Sequence, residues 1–156
     1  MKDLKELIGF ELVSLDNKKM TVAKDGRTYT FEFITDGGEL ECNGCSWAEI
    51  STKLYIDDNI KPVITNIKEE HEFAYSAYHE VKITLFGIMK PLAEINASTG
   101  NSYDWYYGET VEVVCKELDY SEILSADIQA RDFGGQTHID DAFKAKFWRL
   151  YNSKKE

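Results

Sequence analysis

Proline is almost missing from this chain. Only Pro62 and Pro91 occur in 156 residues, so no proline-rich spacer or low-complexity tail divides it. Long apolar runs are missing too: nothing approaches the roughly 18 consecutive residues that a membrane-spanning helix needs. The opening Met1-Lys2-Asp3-Leu4-Lys5-Glu6 mixes charges and lacks the apolar centre of a signal peptide, so the expectation is a cytoplasmic protein with no membrane partner. Cysteines are few and odd in number (Cys42, Cys45, Cys115), which favours reduced thiols over a disulfide framework.

Positive charge is the most telling shortage. Eighteen Lys and Arg face 28 Asp and Glu, a net charge of −10. Direct contact with nucleic acid is disfavoured, because phosphates are bound by cations. The imbalance is local: residues 1–126 hold 12 basic against 23 acidic residues, whereas residues 127–156 hold 6 against 5. An acidic body of this kind can be steered toward a basic partner surface, or can simply keep a small domain in solution. Catalytic signatures are lacking as well. There is no GxSxG, no HExxH, no paired-cysteine deaminase pattern and no GxxxxGK[ST]. Asp57-Asp58 has neither the alternating oxygen ligands nor the closing glutamate of a calcium loop.

What is present is the composition of a folded protein, 43% apolar and 13% aromatic. Leu7–Leu15 reads as a first strand, Asp16-Asn17-Lys18 as a turn. Met20, Val22, Tyr29, Phe31 and Phe33 alternate with polar neighbours around Asp25-Gly26, a hairpin signal because both turn positions tolerate positive φ. Ser46 with Glu49 matches a capping box, and Trp47, Ile50 and Leu54 then fall on one face of a short helix. Val63–Ile67, Val81–Phe86, Leu92–Ala97 and Val111–Cys115 read as strands, and Ser98–Ser102 as a loop. After a loop over 127–137, Ile139, Ala142, Phe143, Phe147, Leu150 and Tyr151 form a helical stripe whose last turns carry Lys144, Lys146 and Arg149. The expected fold is therefore α+β: a twisted, mainly antiparallel sheet with a short central helix and an amphipathic C-terminal helix. Residues 1–126 form the acidic β-rich domain, and 127–156 the loop and helix packed on it.

Cys42-Asn43-Gly44-Cys45 could chelate zinc, with Cys115, His71, His79 or His138 completing the set. No second paired motif supports it, so no cofactor is expected. The three histidines are general-base candidates in type, but none sits in a nucleophile motif, and surface positions are expected. Glu69-Glu70-His71-Glu72 reads as a solvated charge run between two strands. Tyr103–Glu109 is the densest aromatic cluster; extended backbone would turn Tyr106 and Tyr107 to opposite faces, leaving at least one for a partner.

The order of landmarks (Leu7-Ile8-Gly9, the Asp25-Gly26-Arg27-Thr28-Tyr29 hairpin, the Asp36…Cys42 loop, Pro62-Val63-Ile64, then Tyr106-Tyr107-Gly108 before Val111-Glu112-Val113) resembles an uncharacterised family of small bacteriophage and prophage domains, over about residues 4–117. The resemblance implies a phage context and assigns no catalytic residue. In that context the sequence suggests a non-enzymatic binding module, an anti-CRISPR-like inhibitor of a host nucleic-acid-handling complex acting in the host cytoplasm. Carboxylates would then occupy places that phosphates otherwise fill. Contacts are expected from Trp105, Tyr106 and Tyr107, and charge from Asp57, Asp58, Glu69, Glu70 and Glu72. The alternatives are an assembly protein that forms a homodimer through its C-terminal helix, and a small-ligand or zinc-binding domain.

Overall fold

The computed structural model describes residues 1–36, 46–56, 62–74, 78–101 and 110–126, together with 145, 146, 148 and 149. The Asp25-Gly26 turn forms as its sequence requires, with φ of 53° and 79°. It pairs β2 (Lys19–Lys24) with β3 (Arg27–Asp36) in an unbroken register from Lys24–Arg27 to Lys19–Glu32. β1 (Glu11–Leu15) joins β2 through a turn in which the Asp16 carboxylate accepts the backbone N–H groups of Lys18 and Lys19 at 2.7 and 2.9 Å. β8 (Thr110–Cys115) pairs with β3, and β9 (Tyr120–Ala126) with β8. The result is a five-stranded antiparallel sheet ordered β1-β2-β3-β8-β9.

A second antiparallel sheet, ordered β4-β7-β6-β5, comprises β4 (Ser46–Leu54), β5 (Asn66–Ala74), β6 (Tyr78–Gly87) and β7 (Lys90–Asn101). The two sheets share one apolar core. Leu12, Met20, Val22, Phe31, Val111, Val113 and Leu124 fill it from the first, and Val81, Ile83, Leu85, Ala93, Ile95 and Ala97 from the second. Strand alternation explains that division, since every second residue of each strand faces the other sheet.

The α+β expectation is wrong. Strands take up 70% of the described residues, and none of these lies in a helix of seven or more residues. The supposed central helix at Ser46 is β4. Its residues satisfy two periods: Trp47, Ile50 and Leu54 recur helically, but Ala48, Ile50, Thr52 and Leu54 also alternate, and these face Thr99, Ala97, Ile95 and Ala93 of β7. Nine cross-strand pairs with β7 outweigh a local capping signal. Trp47 adds a specific reason. Its indole lies over Gly100, where an added Cβ would sit 2.6 Å from Cζ2, so tryptophan and glycine fit as a cross-strand pair. The expected amphipathic C-terminal helix is not found as such: only Ala145, Lys146, Trp148 and Arg149 are described in that region, in helical conformation.

Smaller corrections follow the same logic. Leu4–Leu7 is a 3-10 turn capped reciprocally by Asp3 and Glu6, so the first strand begins only at Glu11. Ser98–Asn101 continues β7 where a loop was expected. The charge run Glu69–Glu72 is not a connection but the middle of β5. Among the described residues no helix is long and apolar enough to cross a membrane.

Candidate functional site

Residues directly opposite in an antiparallel pair point to the same side of the sheet. The register of the four-stranded sheet therefore sorts its outward side chains into rows. One row holds Glu49 of β4, Ser98 of β7, Glu80 of β6 and Glu72 of β5. Three carboxylates thus cross four strands, and Glu72 and Glu80 are direct partners, an arrangement that like-charge repulsion disfavours. None of the three forms an ion pair among the described residues. The next row places Ser51, Asn96, Lys82 and Glu70 together; Lys82 reaches Glu94 at 3.4 Å and Lys68 reaches Glu70 at 3.7 Å.

Aromatic rings flank the acidic row at one end. Trp47 and Tyr78 lie with ring centroids 6.2 Å apart at 48°. The Tyr78 hydroxyl donates to Glu80 Oε2 at 2.5 Å, and burial together with that carboxylate pushes its pKa up to about 12. The phenol stays protonated and fixes one Glu80 oxygen. At the β4 side the face falls into an open cleft of about 580 Å³, bordered by Glu49, Ser51, Glu80, Asn96, Ser98 and Thr35 and floored in part by Ala48 and Ile50. Its polar rim offers hydrogen-bonding and anionic groups beside a small apolar floor.

The same register turns Glu69, His71 and Phe73 inward. Of the charge set expected from sequence, Glu70 and Glu72 are on the outer face, whereas Glu69 is not. Asp57, Asp58, Trp105, Tyr106 and Tyr107 lie outside the described residues, as do Cys42, Cys45 and His138. Cys115 is buried and donates its thiol to Glu117 at 3.4 Å; burial raises its pKa, so it is no ready thiolate. No group of three or more His, Cys, Asp or Glu able to hold a metal occurs among the described residues.

The histidines depart most from expectation. His79 is 1% exposed, and the His71 side chain 6%. Their rings and that of Phe73 are nearly parallel: Phe73 lies with its centroid 4.7 Å from that of His79, and the His71 ring meets His79 edge to edge with centroids 5.2 Å apart. His71 Nδ1 lies 2.9 Å from His79 Nε2. His79 Nδ1 in turn meets Ser125 Oγ of β9 at 3.1 Å, and Ser125 Oγ meets Thr99 Oγ1 of β7 at 2.8 Å. On the other side, His71 Nε2 stands 3.1 Å from Glu69 Oε1 but out of line for a good hydrogen bond. Glu69 Oε1 also takes the Lys146 ammonium at 2.6 Å, and Lys146 reaches Glu122 of β9 at 3.3 Å. Tyr120 closes the row by donating to Glu122 Oε2.

The charges respond to this arrangement. Burial alone would raise the Glu69 carboxyl, but His71 and Lys146 outweigh it and bring its pKa to about 2. Burial likewise opposes the Lys146 charge, and Glu69 and Glu122 more than restore it. Burial, then His71 and Lys146, hold His79 well below the ordinary imidazole value, so it is neutral at pH 7. Ser125 has a single hydroxyl proton, which goes either to the His79 carbonyl oxygen at 3.0 Å or to His79 Nδ1; in the second case donor directions run head to tail, Thr99 to Ser125, Ser125 to His79, His79 to His71, and His71 toward Glu69. The order of groups is that of an acid–base–nucleophile relay, yet Ser125 Oγ belongs to a residue with no exposed surface and reaches no substrate. The row is an interior polar seam joining the two sheets. Sequence reading missed it because its members are spread over residues 69–146, and only the alternation of Glu69, His71 and Phe73 in β5 hinted at an inward face.

No family model, curated protein or solved structure matches this chain, and nothing in these comparisons points to an enzyme family.

Proposed function

We propose that the protein is a non-enzymatic binding module that presents the outer face of its four-stranded sheet to a cationic surface of another macromolecule. The row Glu49–Glu80–Glu72 carries this reading. Three carboxylates without counter-ions among the described residues, two of them directly opposed, cost stability that a purely structural surface would be expected to avoid. A basic partner turns that repulsion into attraction. Trp47 and Tyr78 beside the row offer ring faces to Arg or Lys. The partner class that fits is a protein with a nucleic-acid-binding channel, which the acidic row would occupy in place of phosphates; a host defence complex met by a phage-borne inhibitor belongs to that class. A competing explanation for Glu70 and Glu72 is protection of β5, an edge strand, against pairing with other chains. It extends to Glu49, since β4 is the other edge strand, but it does not account for Glu80, which lies on the interior strand β6 directly opposite Glu72.

The test is competition. The purified protein is titrated against a basic nucleic-acid-binding protein carrying a labelled oligonucleotide, at two salt concentrations. Displacement that weakens with salt, and that falls at least tenfold in Glu49→Gln/Glu72→Gln/Glu80→Gln, supports the reading. Equal displacement by the triple variant, with its fold intact, removes the acidic row from the function.

A further inference from the structure

We infer that the outer face of the four-stranded sheet carries a saccharide site, in which a short amino-sugar oligosaccharide stacks on the Trp47–Tyr78 platform and sets its hydroxyl and ammonium groups into the neighbouring cleft. The inference goes beyond a cationic macromolecular partner and does not rest on one.

The sheet register builds the platform and the cleft as neighbours. Trp47 of β4 pairs with Gly100 of β7, and its indole covers the space that a side chain would fill there. One side of the ring is thus used by the sheet, while the residue stays partly exposed, as does Tyr78 beside it. Two residues further along each of three strands, about 7 Å in extended chain, come Glu49, Ser98 and Glu80. Two residues further again on β4 and β7 come Ser51 and Asn96. These five residues edge the cleft of about 580 Å³, a size typical of small-ligand sites. Among the described residues the side chains of Ser51, Asn96 and Ser98 make no hydrogen bond. The Tyr78 hydroxyl occupies Oε2 of Glu80 and leaves the other carboxylate oxygen open.

A cationic protein surface leaves two of these features unused: the concavity and its neutral hydroxyl and amide groups. A pyranose with equatorial substituents uses them together. Its flat faces are C–H surfaces, whose slightly positive hydrogens pack on the negative face of an aromatic ring. Its edges carry hydroxyls that both donate and accept, matching serine, asparagine and carboxylate groups. A chain of such rings laid along the strands runs from the platform into the cleft. An ammonium in place of a ring hydroxyl adds a charge-assisted bond to Glu49 or Glu80, neither of which has a counter-ion among the described residues. The same carboxylates repel an acidic sugar. The site binds; no covalent step is involved.

Isothermal titration of the full chain with glucosamine trimer tests this, at about pH 6 so that the amines are charged. Cellotriose, the same skeleton with hydroxyls in place of the amines, is the comparison. The amino sugar should bind at least tenfold more tightly than cellotriose. Glu49→Gln/Glu80→Gln should remove that difference, and Trp47→Ala should weaken both sugars at least tenfold. Glu72→Gln, in the acidic row but outside the cleft, should leave sugar binding unchanged. Equal affinity for the two sugars, binding of neither, or full affinity in Trp47→Ala overturns the site. Any of those results leaves the displacement of nucleic acid by the acidic row as a separate question. If Trp47→Ala does not fold, amide and indole chemical shifts of the wild type decide: sugar-induced shifts centred on Trp47, Tyr78, Asn96 and Ser98 support the proposal, and shifts centred elsewhere refute it.

Discussion

Removing the Ser125 hydroxyl should be among the costlier single changes in the molecule. Ser125 is fully buried, and its Oγ lies 2.8 Å from Thr99 Oγ1, 3.1 Å from His79 Nδ1 and 3.0 Å from the His79 carbonyl oxygen. Each such bond contributes only about 1 kcal/mol net, because the unfolded chain bonds to water instead. The asymmetry lies in what remains after truncation. In Ser125→Ala, polar groups on two other strands keep their desolvation but lose a partner, at about 1–3 kcal/mol. A total of about 2–3 kcal/mol is expected. With a urea m-value of about 2 kcal/mol/M for a chain of this size, the midpoint should fall by about 1–1.5 M. Ser121→Ala is the matched control, since Ser121 is exposed on the same strand and should change stability by less than about 0.5 kcal/mol. A double-mutant cycle with Thr99→Val should show coupling of about 1 kcal/mol. If Ser125→Ala moves the midpoint no further than Ser121→Ala does, the polar seam does not hold the sheets together.

Two further outcomes follow from the same structure. Gly100→Ala puts a Cβ 2.6 Å from the Trp47 indole, and the ring must move at a cost of about 1–3 kcal/mol; thermal unfolding should show a penalty that largely disappears in the Trp47→Ala background. Stability should fall with acid in two windows: His79, depressed in the folded state, contributes stability that is complete above about pH 6.5 and is lost below it, and Glu69, also depressed, contributes stability lost as pH drops from 4.5 toward about 2. Urea midpoints measured from pH 8 to pH 3 check this, and a profile flat down to pH 5 would exclude the histidine contribution.

Legibility from sequence varied with how local the determining physics is. The Asp25-Gly26 hairpin was readable because the turn chemistry and the flanking alternation agree within a few residues. Val81–Phe86 and Val111–Cys115 were readable as apolar strand cores. β4 was misread because a local capping pattern coincided with a strand whose true determinant, Gly100 beneath Trp47, is about fifty residues away. β5 was misread because Lys68–Glu72 looks like solvated surface; only its partner β6 shows that Glu69 and His71 are interior. The outer row of glutamates was legible in part: Glu70 and Glu72 were named, whereas Glu49 and Glu80 acquire meaning only when strands distant in sequence are set side by side.

β5 itself has an unusual dependence. A strand normally finds its alignment because its apolar side must meet the core, but between Ile67 and Phe73 this one offers no apolar residue to either side. Shifting it by a single position against β6 would drive Glu70 and Glu72 inside and turn His71 to solvent. Ile67 and Phe73 mark the inward side at its ends, and between them ionic and imidazole contacts take the place that apolar side chains usually fill. Substituting those interior polar groups with aliphatic ones of similar volume could leave the protein just as compact while allowing this edge more than one way to pair.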